Sequence, residues 1–123
     1  MKIVAVDAWE VLDSRGTPTV RVEVRTARAS GRFTVPAGAS TGSFEALERR
    51  DGADRFRGAG VRGAVEAVRT ELASVVEGRD PTDQRGIDAA MVDADGSDDL
   101  ARFGANAVLG VSGAVAHAAA DGL

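Results

Sequence analysis

The 123 residues are 44% apolar and 28% charged, an ordinary globular composition for one domain around a single core and not that of a disordered chain. A formal net charge of -4 argues against sequence-independent nucleic-acid binding, which needs a basic face. With no cysteine there are no disulfides, thiolate metal sites or cysteine nucleophiles, which fits a reducing cytosol.

The N-terminal run "KIVAVDAWEVL" is rich in strand-forming residues, and Asp7 and Glu10 come too soon for a secretory signal. "DSRGTPT" follows with turn chemistry: Asp13 and Ser14 can bond the local backbone, and Pro18 blocks continuation of a ladder. "TVRVEVRT" then alternates, placing Val20, Val22 and Val24 on one face and Arg21, Glu23 and Arg25 on the other. A third run, "GRFTV", comes after the polar connection "ARASG". Sequential strands joined by short links predict an antiparallel meander, since parallel neighbours need long crossovers.

Next comes "VPAGASTGSFEALE", in which Gly38, Ala39, Ser40, Thr41 and Gly42 offer backbone amides and two hydroxyls between glycines. Amides and hydroxyls suit phosphate oxygens, and a hydroxyl or carbonyl oxygen suits magnesium, a hard cation. The segment lacks the GxxxxGK[ST] phosphate-loop pattern, so its residues alone leave an ordinary turn open beside a binding loop.

Beyond it the period changes. Val61, Val65, Val68, Leu72, Val75 and Val76 form a one-sided helical stripe, with Gly78 at the expected C-terminal cap. "RDPTDQRGIDAAMVDADG" predicts a second helix with Asp80 as N-cap, Pro81 in its first position, Gly96 as its stop, and Ile87, Ala90, Met91 and Ala94 inward. "SDDLARF" suggests a short helical turn, and "GANAVLGVSGAVAHAAADG" a last helix ending near Gly122. That helix is apolar almost all round, so either it is central to the bundle or something outside the chain covers one side. No apolar run reaches the roughly 20 residues of a membrane span. The fold class is α+β, a three-stranded antiparallel meander followed by a helical bundle.

Chemistry-bearing residues are sparse. His117 is the only histidine and stands among alanines with no carboxylate at metal-binding spacing, so it is given no role. Asp93, Asp95, Asp98 and Asp99 lack the twelve-residue calcium-loop spacing and read as a helix end running into a solvated loop. No partner singles out Glu45 or Glu48 for acid–base work.

Five stretches in order, "VLDSRGTPTVRVEV", "VPAGASTGSFEALERRDG", "GVRGAVEAV", "DPTDQRGIDAAMVDADG" and "FGANAVLGVSGAVAHAAA", resemble the N-terminal domain of enolase (phosphopyruvate hydratase) over essentially the whole chain. The resemblance implies the meander-plus-helices fold. It also implies a role in the interconversion of 2-phosphoglycerate with phosphoenolpyruvate and water, a lyase step of glycolysis that uses two magnesium ions. By the same resemblance Ser40 is a magnesium ligand, and Gly38, Ala39, Ser40 and Thr41 form a loop that closes over the substrate.

The family's proton-abstracting lysine, general-acid glutamate and first-magnesium carboxylates belong to a C-terminal β/α barrel, so residues 1–123 are expected to be a capping domain without that barrel. A truncated or split cytoplasmic enolase, inactive alone, is the leading expectation. Its expected partner is a barrel domain or a full-length enolase, with homodimerisation left open. Ala37, Thr17, Arg49 and Ala59 depart from the usual residues of the family. Ala37 and Thr17 leave open a relative with a different phosphonate or carboxylate substrate, and a non-catalytic interaction or dimerisation module that regulates a full-length enolase is a separate alternative.

Overall fold

A computed structural model of the chain describes residues 1–36 and 46–123. Three strands, β1 (Ile3–Leu12), β2 (Pro18–Thr26) and β3 (Ser30–Thr34), form one antiparallel sheet in the order β1-β2-β3. The predicted meander is thus present.

Its first turn is organised by Asp13, whose Oδ1 accepts the Arg15 and Thr17 N–H groups at 2.8 and 2.9 Å. Those two bonds hold the Asp13 carboxyl below its ordinary range. The second turn closes on Thr26, whose hydroxyl accepts the Ala29 N–H at 2.9 Å. With the register so fixed, Val22 stands opposite Ala8 and Phe33, and Val24 opposite Val6 and Gly31. Val20, Val22 and Val24 are fully buried, as their alternation demanded.

The helices cover that one face. A tight turn at Arg55–Gly58 precedes α1 (Arg62–Ala67), which runs through a π-helical stretch, Val68–Leu72, into α2 (Ala73–Val76). Val61, Val65, Val68, Leu72 and Val76 of the predicted stripe are all in the core, and Val75 packs on its margin. The predicted cap needs a correction. Glu77 already leaves the helix in an extended conformation, and Gly78, at φ +85°, donates its N–H to the Ile3 carbonyl at 2.9 Å. Gly78 ties the helix end to β1 rather than closing the helix on itself.

The third helix, α3 (Gln84–Asp95), starts later than expected. Asp80 accepts the Thr82 N–H and hydroxyl in a preceding turn, and Asp83 is the true N-cap, accepting the Gly86 N–H at 3.2 Å. Pro81 lies in that turn and is buried there. Gly96 is the stop as predicted, in the left-handed region at φ +72°. "SDDLARF" forms turns and no helix, with Leu100 at φ +60°.

The last helix, α4 (Ala105–Asp121), lies across β2 and β3 and beside α3. Ala107, Val111, Ala114, Val115 and Ala118 are buried, while Leu109 is 46% exposed and Ala116, His117 and Ala120 face outward. Among the described residues α4 is therefore not covered on every side. Gly31 of β3 sits directly under its backbone, which draws the helix unusually close to the sheet.

Candidate functional site

The sequence directs attention to Gly38, Ala39, Ser40 and Thr41. These four, with Glu45, lie outside the described residues. What is described is how the chain is held on either side of them.

On the N-terminal side, Val35 donates its N–H to the Val20 carbonyl at 2.9 Å, and its carbonyl accepts the Thr19 hydroxyl at 2.7 Å. Both Thr19 and Val35 are buried, so this end is fixed to β2 from inside the core. On the C-terminal side, Leu47 donates its N–H to the Asp99 carbonyl at 2.8 Å and accepts the Ala105 N–H at 2.7 Å. Two residues on, the Arg49 N–H donates to Asn106 Oδ1 at 2.9 Å and the Arg49 carbonyl accepts from Asn106 Nδ2 at 3.1 Å.

Residues 46–51 thus form a strap, which continues with Arg50, whose guanidinium donates to the carbonyls of Pro18 at 2.5 Å and Ala59 at 2.8 Å while pairing with Glu48 at 3.1 Å. Glu48 is thus engaged by an arginine. Asp51 then accepts the Arg62 and Gly63 N–H groups at 2.9 Å each. Glu10 joins the turn at Arg55–Gly58 to the sheet: it pairs with Arg55 and accepts the Val61 N–H at 2.8 Å. The hydrogen bond from Arg55 is the main reason that the Glu10 carboxyl is held below its ordinary value, against the opposing effect of burial.

The remaining candidates separate clearly. His117 is exposed, edge-on to Phe33 with ring centroids 5.9 Å apart. Asp93 and Asp98 are exposed, and Asp99 accepts the Ala101 N–H at 3.1 Å. Asp95 does not fit the solvated-loop reading. It is 3% exposed, bonded to the Ser97 hydroxyl, and it accepts the Ser97 N–H at 3.0 Å and the Phe103 N–H at 2.9 Å. Burial pushes its carboxyl upward, but the donors from Ser97 and Phe103 outweigh that and hold it below its ordinary range. Sequence reasoning also passed over Asn106 and Thr19. The signal available for Asn106 was its polarity in the first turn of an otherwise apolar helix.

Among the described residues, no group of three or more His, Cys, Asp or Glu side chains is placed to hold a metal ion. Nor is any helix there long and apolar enough to cross a membrane.

The family model for "Enolase, N-terminal domain" matches residues 3–123. The chain belongs to the enolase N-terminal domain family. The α+β layout, three antiparallel strands followed by helices, agrees with that family. The enolase of Acidothermus cellulolyticus is 56% identical to this enolase N-terminal domain over 120 residues, 97% of this chain and 28% of the relative. That of Thermococcus gammatolerans is 57% identical, covering 99% of this chain and 28% of its own length. That of Methanopyrus kandleri is 55% identical, covering 99% and 29%. This domain therefore spans under a third of the length of the curated relatives it matches.

Proposed function

We propose that this chain acts as the N-terminal capping domain of an enolase, which carries 2-phosphoglycerate to phosphoenolpyruvate and water only together with a β/α barrel. One observation carries the reading: relatives named enolase match it over nearly all of its length, yet most of each relative lies beyond the match. The described chemistry supports the dependence on a barrel. Removing a weakly acidic proton beside a carboxylate needs a positioned base. The described carboxylates nearest the strap, Glu10, Glu48 and Asp51, are engaged with arginines or backbone N–H groups.

In this reading Gly38, Ala39, Ser40 and Thr41 form the segment that closes over the substrate, and Ser40 gives its hydroxyl and backbone carbonyl oxygens to magnesium. A serine oxygen suits that hard cation as one ligand. One serine supplies only part of a magnesium coordination shell, and in this reading the carboxylate ligands come from the barrel. When bound, the metal would stabilise negative charge on the substrate. The work of this chain is to deliver the oxygen ligands of Ser40 and to exclude water.

The purified chain is expected to give no dehydration of 2-phosphoglycerate by phosphoenolpyruvate absorbance, and addition of a cognate enolase barrel to restore it. Turnover by the chain alone, or failure of cognate barrels to respond, overturns the reading. In the reconstituted pair, Ser40→Ala is expected to raise the magnesium concentration needed for half-maximal rate by roughly tenfold, the scale seen for lost metal-site contacts. An unchanged magnesium dependence would instead leave the chain as a non-catalytic interaction module.

A further inference from the structure

Asn106 is 3% exposed, in the first turn of a helix whose other inward residues are apolar or glycine. A buried amide is tolerated only where its donor and acceptor are both satisfied. Here the backbone of one residue, Arg49, meets both: its N–H donates to Asn106 Oδ1 at 2.9 Å and its carbonyl accepts from Nδ2 at 3.1 Å. Because the grip is on the backbone, it fixes the position and direction of the strap whatever side chain stands at 49.

Gly104 makes the approach feasible. Its φ is +97°, and any Cβ there would strike Arg49 Cβ and stand 2.9 Å from the Arg49 nitrogen. The two Leu47 bonds to Asp99 and Ala105 continue the same seam. The chain is thus held at Val35, before the segment bearing Ser40, and at Leu47 and Arg49, after it.

We propose that Asn106 is a positioning residue: by gripping both polar groups of Arg49, it fixes where the segment bearing Ser40 rejoins the domain. This rests on the reading of Ser40 given above. Asn106 itself touches no reacting atom, and its effect passes through the strap.

The absence of cysteine makes the test direct. Spin labels on Ala46→Cys and Ala116→Cys, both exposed positions, report the strap against α4 in the chain alone. Asn106→Ala is expected to broaden that distance distribution about twofold as the strap is released. Asn106→Asp keeps the acceptor for the Arg49 N–H but sets a carboxylate oxygen against the Arg49 carbonyl, acceptor against acceptor, so a broadening at least as large is expected. It also serves where the alanine variant does not fold.

With a cognate barrel, Asn106→Asp is expected to lower kcat by up to about 10²-fold with KM little changed, and the deficit to persist when the variant is added to saturation. A variant that merely folds less would be titrated back to full rate. An unchanged distance distribution overturns the proposal, and so does a broadened one with unchanged kcat. Failure of the unaltered chain to support turnover overturns the reading of Ser40 instead, and the label distances then decide whether Asn106 fixes the strap.

Discussion

Gly31→Ala is expected to destabilise the domain by about 3 kcal/mol, the upper end of the usual range for overpacking. An added Cβ would fall inside contact distance of the Ala118 nitrogen and the Ala114 carbonyl oxygen, and 2.7 Å from the His117 carbonyl carbon. These are backbone atoms of α4, and no rotamer change can move them aside. The helix must lift from β3, and with it the packing of Ala114 and Ala118, both fully buried, on the sheet. Urea unfolding should show a lower midpoint at unchanged slope, and heating a melting temperature reduced by roughly 10 °C. A change within about 0.5 kcal/mol, the level of an ordinary surface substitution, would show that the close approach of β3 and α4 is wrong.

Gly31 also illustrates what the sequence could not announce. In "ARASGRFTV" it opens the third predicted strand, but nothing there marks it as the point of a contact far along the chain. Periodic features were legible because they are local. The alternation of Val20, Val22 and Val24 and the stripe from Val61 to Val76 each encode one buried face, and both are in the core. Caps were harder, since two aspartates compete before α3. Thr82 engages Asp80 in its own turn and leaves Asp83 to cap the helix.

The candidate site divides in the same way. The hydroxyl and glycine content of "GAST" was visible at once, and its chemical reading rests on resemblance and donor type. The frame around it was invisible. The Asn106 bonds to Arg49 span 57 positions, and nothing local distinguishes an asparagine gripping a distant strap from one facing water. The all-apolar last helix leaves open, from sequence alone, a central place in the bundle or a side covered from outside; among the described residues it is buried on one side and open on the other. The open side includes Leu109 and Ala116. It continues along α4, whose first turn grips the Arg49 backbone, so an open face and the anchor of residues 46–51 share one helix.

Asp95→Asn should cost about 2–3 kcal/mol at neutral pH, the scale for breaking buried charge-assisted bonds and leaving a donor unmet. The carboxylate takes N–H donors on both oxygens, from Ser97 on one side and Phe103 on the other. An asparagine has one oxygen to offer, so its amide nitrogen must face one of those N–H groups, donor against donor. The pH dependence follows from the sign of the shift. Asp95 is lowered from an ordinary value of 3.8, so its contribution is complete above that value and is lost as pH falls through the lower folded value. The variant has no carboxyl to protonate at this position. The stability gap between the two proteins should therefore be widest near neutrality and narrow by about pH 3. Glu10, also lowered, titrates in both and drops out of the difference. Urea midpoints at the two pH values measure the gap; one of equal size at both would mean that the Asp95 charge contributes nothing to holding α3 against the start of α4.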